Sequence, residues 1–219
     1  MRYEIKVPIE KNLLTSFHNW INFKSKVYKL YDDRIINSIY YDNENYTCAK
    51  DNLSGISNRS KFRIRWYNQD KKKIRLEIKR KNNNFGRKIF LDCDLDIKEF
   101  KNFFSYRNEF LKEKKNYFFL SKLKNLDLKP KIQINYKRSY FMYDGKIRVT
   151  LDKNINYRLI KFDEFSNFLH NDDMCVVEIK FAPKDSQDAL KIINNMPFYP
   201  KRFSKYLRGL YLGGIVNYI

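Results

Sequence analysis

The stretch "SKFRIRWY", residues 60–67, decides how the chain is to be read. Lys61, Arg63 and Arg65 alternate with Phe62, Ile64 and Trp66. A period of two is the signature of a strand with one polar and one apolar face. Here the polar face carries three cations in succession, which repel one another unless something anionic lies against them.

The pattern recurs along the chain. "RYEIKVPI" (2–9) puts Arg2, Glu4 and Lys6 on one face and Tyr3, Ile5 and Val7 on the other. "KIRLEIKRK" (73–81) alternates Arg75, Glu77 and Lys79 with Leu76 and Ile78, and the link "NQDKKK" joins it to the first stretch as a hairpin. "GRKIFLDC" (86–93) offers Lys88. "GKIRVTLD" places Lys146, Arg148, Thr150 and Asp152 opposite Ile147, Val149 and Leu151. It pairs with "KPKIQINYKRSYFMY" through the turn signal Asp144-Gly145. "MCVVEIKF" (174–181) sets Glu178 and Lys180 against Val177, Ile179 and Phe181, and "RIINSIYYD" (34–42) is a further strand.

Helical spacing is expected over 10–31, where Leu13, Leu14, Phe17, Trp20, Ile21 and Phe23 recur, and over 96–124, rich in Phe. "DSQDALKIINNM" reads as a helix capped by Asp185 or Ser186, and "KRFSKYLRGLYLGGI" as helical at its start. A short helix fits within 43–58. Tyr40 and Tyr41 read as packing residues.

The chain has 219 residues, 43% hydrophobic and 17% aromatic, enough for a real core. No linker or repeat divides it, so residues 1–219 read as one domain. The expected class is α+β: a closed antiparallel β-barrel with flanking helices. Five or six strands with apolar faces turned outward onto helices would leave the charged faces lining a lumen. A net charge of +20 calls for an anionic partner. Asn, Lys and Ile crowd the chain as in AT-rich genomes, which explains part of the lysine excess, so arginine positions weigh more.

Several classes are excluded or disfavoured. Cys48, Cys93 and Cys175 form no CxxC pair, and His18 and His170 belong to no nucleophile or metal motif. No segment has the length and apolarity of a membrane helix or a signal core, which predicts a soluble, cytoplasmic protein with reduced thiols. A nucleic-acid module would interleave aromatics with cations on one face, whereas Phe62 and Trp66 oppose Arg63 and Arg65. Phosphate chains suit a lumen of arginines and lysines, and its few carboxylates suit Mg²⁺ or Mn²⁺.

The ordered set "RYEIKVPI", "YYDN" (40–43), "KFRIRWY", "LEIKRK", "YKRSYF" (136–141), "IRVTLD" (147–152), "VVEIKF" and "RFSKYLRG" (202–209) resembles the VTC-type polyphosphate polymerase branch of the triphosphate tunnel metalloenzymes, the CYTH-like superfamily. The resemblance implies a closed antiparallel tunnel that binds ATP and growing inorganic polyphosphate. It implies phosphate ligands at Lys6, Arg63, Arg65, Lys79, Lys88, Arg138 and Arg148. Arg202, Ser204 and Lys205 would be ligands on a closing helix. Glu178 would hold Mn²⁺ or Mg²⁺, with Glu4 and Glu77 as further metal candidates. Lys6, Arg63, Arg65, Lys79 and Glu178 form the catalytic set that the resemblance implies. Arg2 stands where the wider superfamily's ExExK opening has a carboxylate, which favours the polymerase branch. The alternatives are a tripolyphosphatase or nucleoside triphosphatase on the same tunnel, and a non-catalytic polyphosphate- or nucleic-acid-binding module.

Overall fold

The computed structural model describes residues 2–82, 85–94, 126–161 and 164–217. Ten antiparallel strands and four α-helices lie within them. In chain order these are β1 (Tyr3–Glu10), α1 (Leu14–Asn22), β2 (Val27–Asp42), α2 (Thr47–Leu53) and β3 (Arg59–Tyr67). β4 (Asp70–Asn82), β5 (Phe85–Asp94), β6 (Lys129–Tyr143) and β7 (Ile147–Lys161) follow. The chain closes with β8 (Glu164–Phe165), β9 (His170–Asn171), β10 (Met174–Phe181), α3 (Ser186–Asn194) and α4 (Lys205–Leu212). The hydrogen-bonded strand order is β1-β10-β7-β6-β2-β3-β4-β5, with β8 and β9 attached to β7.

The chain divides into two compact units. The first comprises Met1–Ile35, Asn135–Asn156 and Asn171–Ser204. Its core gathers Val7 and Ile9 of β1, Val149 and Leu151 of β7, and Val177 and Ile179 of β10. Phe17, Trp20 and Ile21 of α1 and Ala189, Ile192 and Ile193 of α3 cover these residues. Both helices bury positions i, i+3 and i+4, the single apolar stripe that an amphipathic helix offers a sheet. The second unit comprises Ile36–Ile134, Tyr157–His170 and Lys205–Ile219. Its core is the apolar face of β3 and β4, with Phe62, Ile64 and Trp66 beside Ile74, Leu76 and Ile78. Ile39 and Tyr41 of β2 and Cys48 of α2 complete it.

The strand alternation is thus realised as expected, and several local readings change. The helical period over 10–31 ends at Asn22, and Phe23 stands 85% exposed rather than on a buried stripe. From Val27 the chain is already β2, which extends well before the strand expected at 34–42. The link after Tyr67 is only Asn68 and Gln69, because Asn68 takes a left-handed φ of 52° and lets the hairpin turn tightly. At the Asp144-Gly145 turn both residues have positive φ, 49° and 65°, the conformation a tight hairpin demands. β7 then runs on to Lys161, beyond the expected Asp152. Asp185 occupies the position before α3, but its side chain makes no capping hydrogen bond. The helical reading of 96–124 lies outside the described residues.

Candidate phosphate and metal site

In the second unit, register brings cations around one buried carboxylate. Arg63 of β3 stands opposite Glu77 of β4 and Tyr40 of β2, and Arg65 stands opposite Ser38. The Arg63 Nε donates to Glu77 Oε2 at 2.5 Å, and Lys88 Nζ of β5 donates to Oε1 at 2.6 Å. Glu77 is 1% exposed. Burial alone would push its carboxyl up, but Arg63, Arg65 and Lys88 outweigh that and lower it to about 2. Burial pulls the Lys88 ammonium below its ordinary value, and repulsion from Arg63 and Arg65 adds to this against the pull of Glu77. Arg65 is itself buried, with Nε donating to Ser38 Oγ at 3.2 Å.

Tyr40 was expected to pack, and it does, stacked on Tyr206 with ring centroids 5.2 Å apart and planes 11° from parallel. It also joins the cation cluster, since Arg63 Nη1 donates to its hydroxyl at 2.8 Å. Burial would raise this phenol, but Arg63, Arg65 and Lys205 lower it below the ordinary range. The "YYDN" motif was the only sign of this role in the sequence, since Tyr40 lies far from Arg63 along the chain.

Asp42 anchors the same unit. Its Oδ1 accepts the backbone N–H groups of Asn43 and Cys48, and its Oδ2 accepts that of Ala49. It therefore supplies the α2 cap from a strand end. Tyr206 of α4 donates to the same carboxylate.

In the first unit a second carboxylate–cation array forms. Arg138 of β6 makes a two-pronged bridge to Asp152 of β7, Nε to Oδ1 at 2.5 Å and Nη2 to Oδ2 at 2.6 Å. The same Nη2 reaches Glu178 Oε2 of β10 at 3.1 Å. Asp152 is fully buried. Burial would lower the Arg138 guanidinium, but Asp152 and Glu178 hold it well above its usual value. Lys180 Nζ lies 2.9 Å from Glu178 Oε2 and 3.6 Å from Glu4 Oε2. Lys6 Nζ lies 3.6 Å from Glu4 Oε1 and donates to the Phe203 carbonyl at 3.0 Å. Across the β7–β10 register Arg148 faces Lys180 and Thr150 faces Glu178. Arg148 Nε and Thr150 Oγ1 are buried and have no hydrogen-bond partner among the described residues. Two orphaned buried donors beside a carboxylate are costly unless a ligand meets them.

Lys79 is exposed on β4, opposite Lys61 and Lys88. Arg202 and Ser204 were expected on a closing helix, but α4 begins at Lys205. They lie instead in the preceding segment, which is tied to β1 by the Lys201 N–H to Lys6 carbonyl bond at 3.0 Å and the Lys6 ammonium on Phe203. Ser204 and Lys205 are buried, and Arg202 is exposed.

No cluster of three acidic, Cys or His ligands occurs among the described residues. Mg²⁺ and Mn²⁺ need only one or two carboxylates when phosphate oxygens complete the shell. Glu4 and Glu178 both approach the Lys180 ammonium, at 3.6 Å and 2.9 Å, so a metal held there would compete with Lys180, and with Lys6 at Glu4 and Arg138 at Glu178. Glu77 fits that demand poorly, because Arg63 and Lys88 take up both of its oxygens. No helix among the described residues is long and apolar enough to cross a membrane.

A family model described as the VTC domain matches residues 1–212. No curated protein matches the chain. Among solved structures, a candidate adenylyl cyclase from Hippeastrum, described as having a dominant triphosphatase activity, aligns with a TM-score of 0.55 at 13% identity. It covers 99% of this chain and 98% of its own. A Pyrococcus horikoshii protein aligns with a TM-score of 0.53 at 16% identity, over 97% of this chain and 99% of its own. A candidate adenylate cyclase from Vibrio parahaemolyticus gives 0.53 at 12%, over 96% and 97%. At these identities the likeness is one of fold.

Proposed function

The chain belongs to the VTC-domain family, within the triphosphate tunnel superfamily, and from that premise we propose that it is a metal-dependent polyphosphate polymerase. In this reading residues 1–219 act as one cytoplasmic domain whose sheet closes into a basic tunnel. The tunnel transfers the ATP γ-phosphoryl group to the end of a polyphosphate chain. The observation that carries the reading is the buried Glu77 ringed by Arg63, Arg65 and Lys88 on the polar face of β3–β5. A solvated salt bridge would not gather three cations about one carboxylate away from water, whereas a polyanion site needs a cation excess held rigidly in place.

The acceptor's terminal phosphate oxygen attacks the γ-phosphorus, and the bond from that phosphorus to the β,γ-bridging oxygen breaks to release ADP. No protein nucleophile is required. Arg63, Arg65, Lys79 and Lys88 would hold phosphates on β3–β5. Lys6, Arg148, Ser204 and Lys205 would serve as further ligands, with Arg202 at the exposed end of that set. Arg138 spends Nε and Nη2 on Asp152 and Glu178, so in this reading it orients Glu178 as well as facing phosphate. Glu178, with Glu4, would hold Mn²⁺ or Mg²⁺, which when bound supplies neutralising charge at the transferring phosphoryl group. The protein's own share is alignment and fixed positive charge.

The triphosphatase activity named for the Hippeastrum protein favours a second reading, in which water replaces the chain as acceptor. Incubation with ATP and Mn²⁺, with products followed by phosphorus NMR and gel, separates the two. A phosphoanhydride polymer supports the polymerase, and orthophosphate alone supports the hydrolase. Binding of polyphosphate without turnover of ATP or tripolyphosphate would sink both.

A further inference from the structure

The polar face of β7 carries Arg148, Thr150 and Asp152 in alternation. Thr150 stands opposite Glu178 of β10, which stands opposite Lys6 of β1. Arg148 stands opposite Lys180, which stands opposite Glu4. The charged groups of β1 and β10 in these two rows are engaged. Glu178 Oε2 accepts from Arg138 Nη2 at 3.1 Å and from Lys180 Nζ at 2.9 Å. Lys180 and Lys6 each lie 3.6 Å from a Glu4 oxygen, and Lys6 donates to the Phe203 carbonyl. Thr150 differs from them. It is 1% exposed, and its Oγ1 has no hydrogen-bond partner among the described residues, although a carboxylate occupies the opposite position. The buried Arg148 Nε, on the same strand face about 7 Å away, has none among them either. A buried hydroxyl left without a partner costs stability, and valine, with the same branched shape, would avoid that cost.

We propose that Thr150 is a further substrate ligand, whose hydroxyl donates to a phosphoryl oxygen of the phosphate chain beside Glu178 while Arg148 Nε donates to the same chain. This deepens the phosphate-transfer function proposed above and rests on it. A phosphate chain presents acceptor oxygens on consecutive phosphorus atoms, so one chain can meet both donors. A divalent cation alone cannot, because the Arg148 guanidinium repels it. The hydroxyl also carries no charge. It fixes the position of one phosphoryl oxygen without adding to the repulsion among Lys6, Arg148 and Lys180. Held away from water on a strand, it is positioned before the ligand arrives, so little ordering is left for binding to supply.

Calorimetric titration of the full chain with tripolyphosphate, beside thermal melting of the ligand-free protein, tests this on Thr150→Val and Thr150→Ser. Thr150→Val should bind tripolyphosphate about tenfold or more weakly, since a hydrogen bond to a charged oxygen is lost. Its ligand-free melting temperature should hold or rise, because the orphaned hydroxyl is gone. Thr150→Ser, which keeps the hydroxyl, should bind nearly as the wild type does. A lower melting temperature in Thr150→Val would show that the hydroxyl serves the fold, and would overturn the proposal. Loss of Mn²⁺ binding without phosphate in the same variant would make the hydroxyl a metal ligand, and would overturn it too. Equal tripolyphosphate affinity in the wild type and Thr150→Val would sink the assignment of Thr150 alone. A wild type that binds neither tripolyphosphate nor ATP would sink the function proposed above, and Thr150 as a ligand with it.

Discussion

Tyr206 donates its hydroxyl to Asp42 across 2.7 Å, although 164 positions separate the two along the chain. The same carboxylate caps α2 through Cys48 and Ala49. One buried acid at the end of β2 thus moors two helices, and the residue before Tyr206 is Lys205. Burial, with Asp42 beside it, raises the Tyr206 phenol well above the ordinary range, which keeps its hydroxyl a donor at neutral pH.

Removing the phenol oxygen with Tyr206→Phe should cost about 1.5–3 kcal/mol in urea unfolding, the worth of one buried hydrogen bond to a charged acceptor. Asp42→Ala should cost more, about 3 kcal/mol or above, because a helix cap is lost and several buried donors are stranded. Equal, negligible costs for the two would show that the carboxylate does not moor the helices.

Acid should destabilise the fold through Glu77. Its folded-state value of about 2 lies below the ordinary 4.5, so its contribution is fully present above pH 4.5 and vanishes as pH falls towards 2. The shift corresponds to about 3 kcal/mol. Glu77→Gln should flatten the stability profile across that window. An unchanged profile would show that the carboxylate is not held by Arg63, Arg65 and Lys88 as described.

Arg63→Lys keeps the charge but cannot reach Glu77 and Tyr40 together through a planar fork. Tripolyphosphate affinity should fall about tenfold or more by calorimetry. Tyr40→Phe, which keeps the ring on Tyr206, should weaken binding less. A larger loss from Tyr40→Phe would place the hydroxyl itself at the ligand.

Glu178→Gln should weaken Mn²⁺ binding in the presence of tripolyphosphate about tenfold or more, read by electron paramagnetic resonance, with a parallel loss of turnover. Asp152→Asn should weaken the same binding through misplaced Arg138, to a smaller degree. Mn²⁺ affinity equal to wild type in Glu178→Gln would move the metal elsewhere.

Gly209 marks where α4 meets the sheet of the second unit. A Cβ there would approach Ile132 Cδ1 to 2.6 Å and the Tyr157 ring more closely still. Gly209→Ala gains about 1 kcal/mol of helix propensity but should lose about 1–3 kcal/mol to overpacking. A stabilised variant would show that the helix can lift without cost.

What the sequence determined by itself is the part of this protein written in local periods. Alternation along 2–9, 60–67, 73–81, 147–152 and 174–181 set which side chains share a face, because successive Cβ atoms on a strand point to opposite sides whatever the strand pairs with. Arg63 and Arg65 could therefore be separated from Phe62 and Trp66 without any structure. Helix ends were less legible. Phe23 continued the helical spacing, yet β2 claimed the chain from Val27 because pairing within the sheet outweighs a short stripe's propensity. Tertiary structure alone decided which charges meet. Arg138 gathers Asp152 and Glu178 from two other strands, Tyr40 reaches Arg63, and Asp42 receives Tyr206. Register and chain return set these contacts, and neither leaves a local trace in the order of the residues.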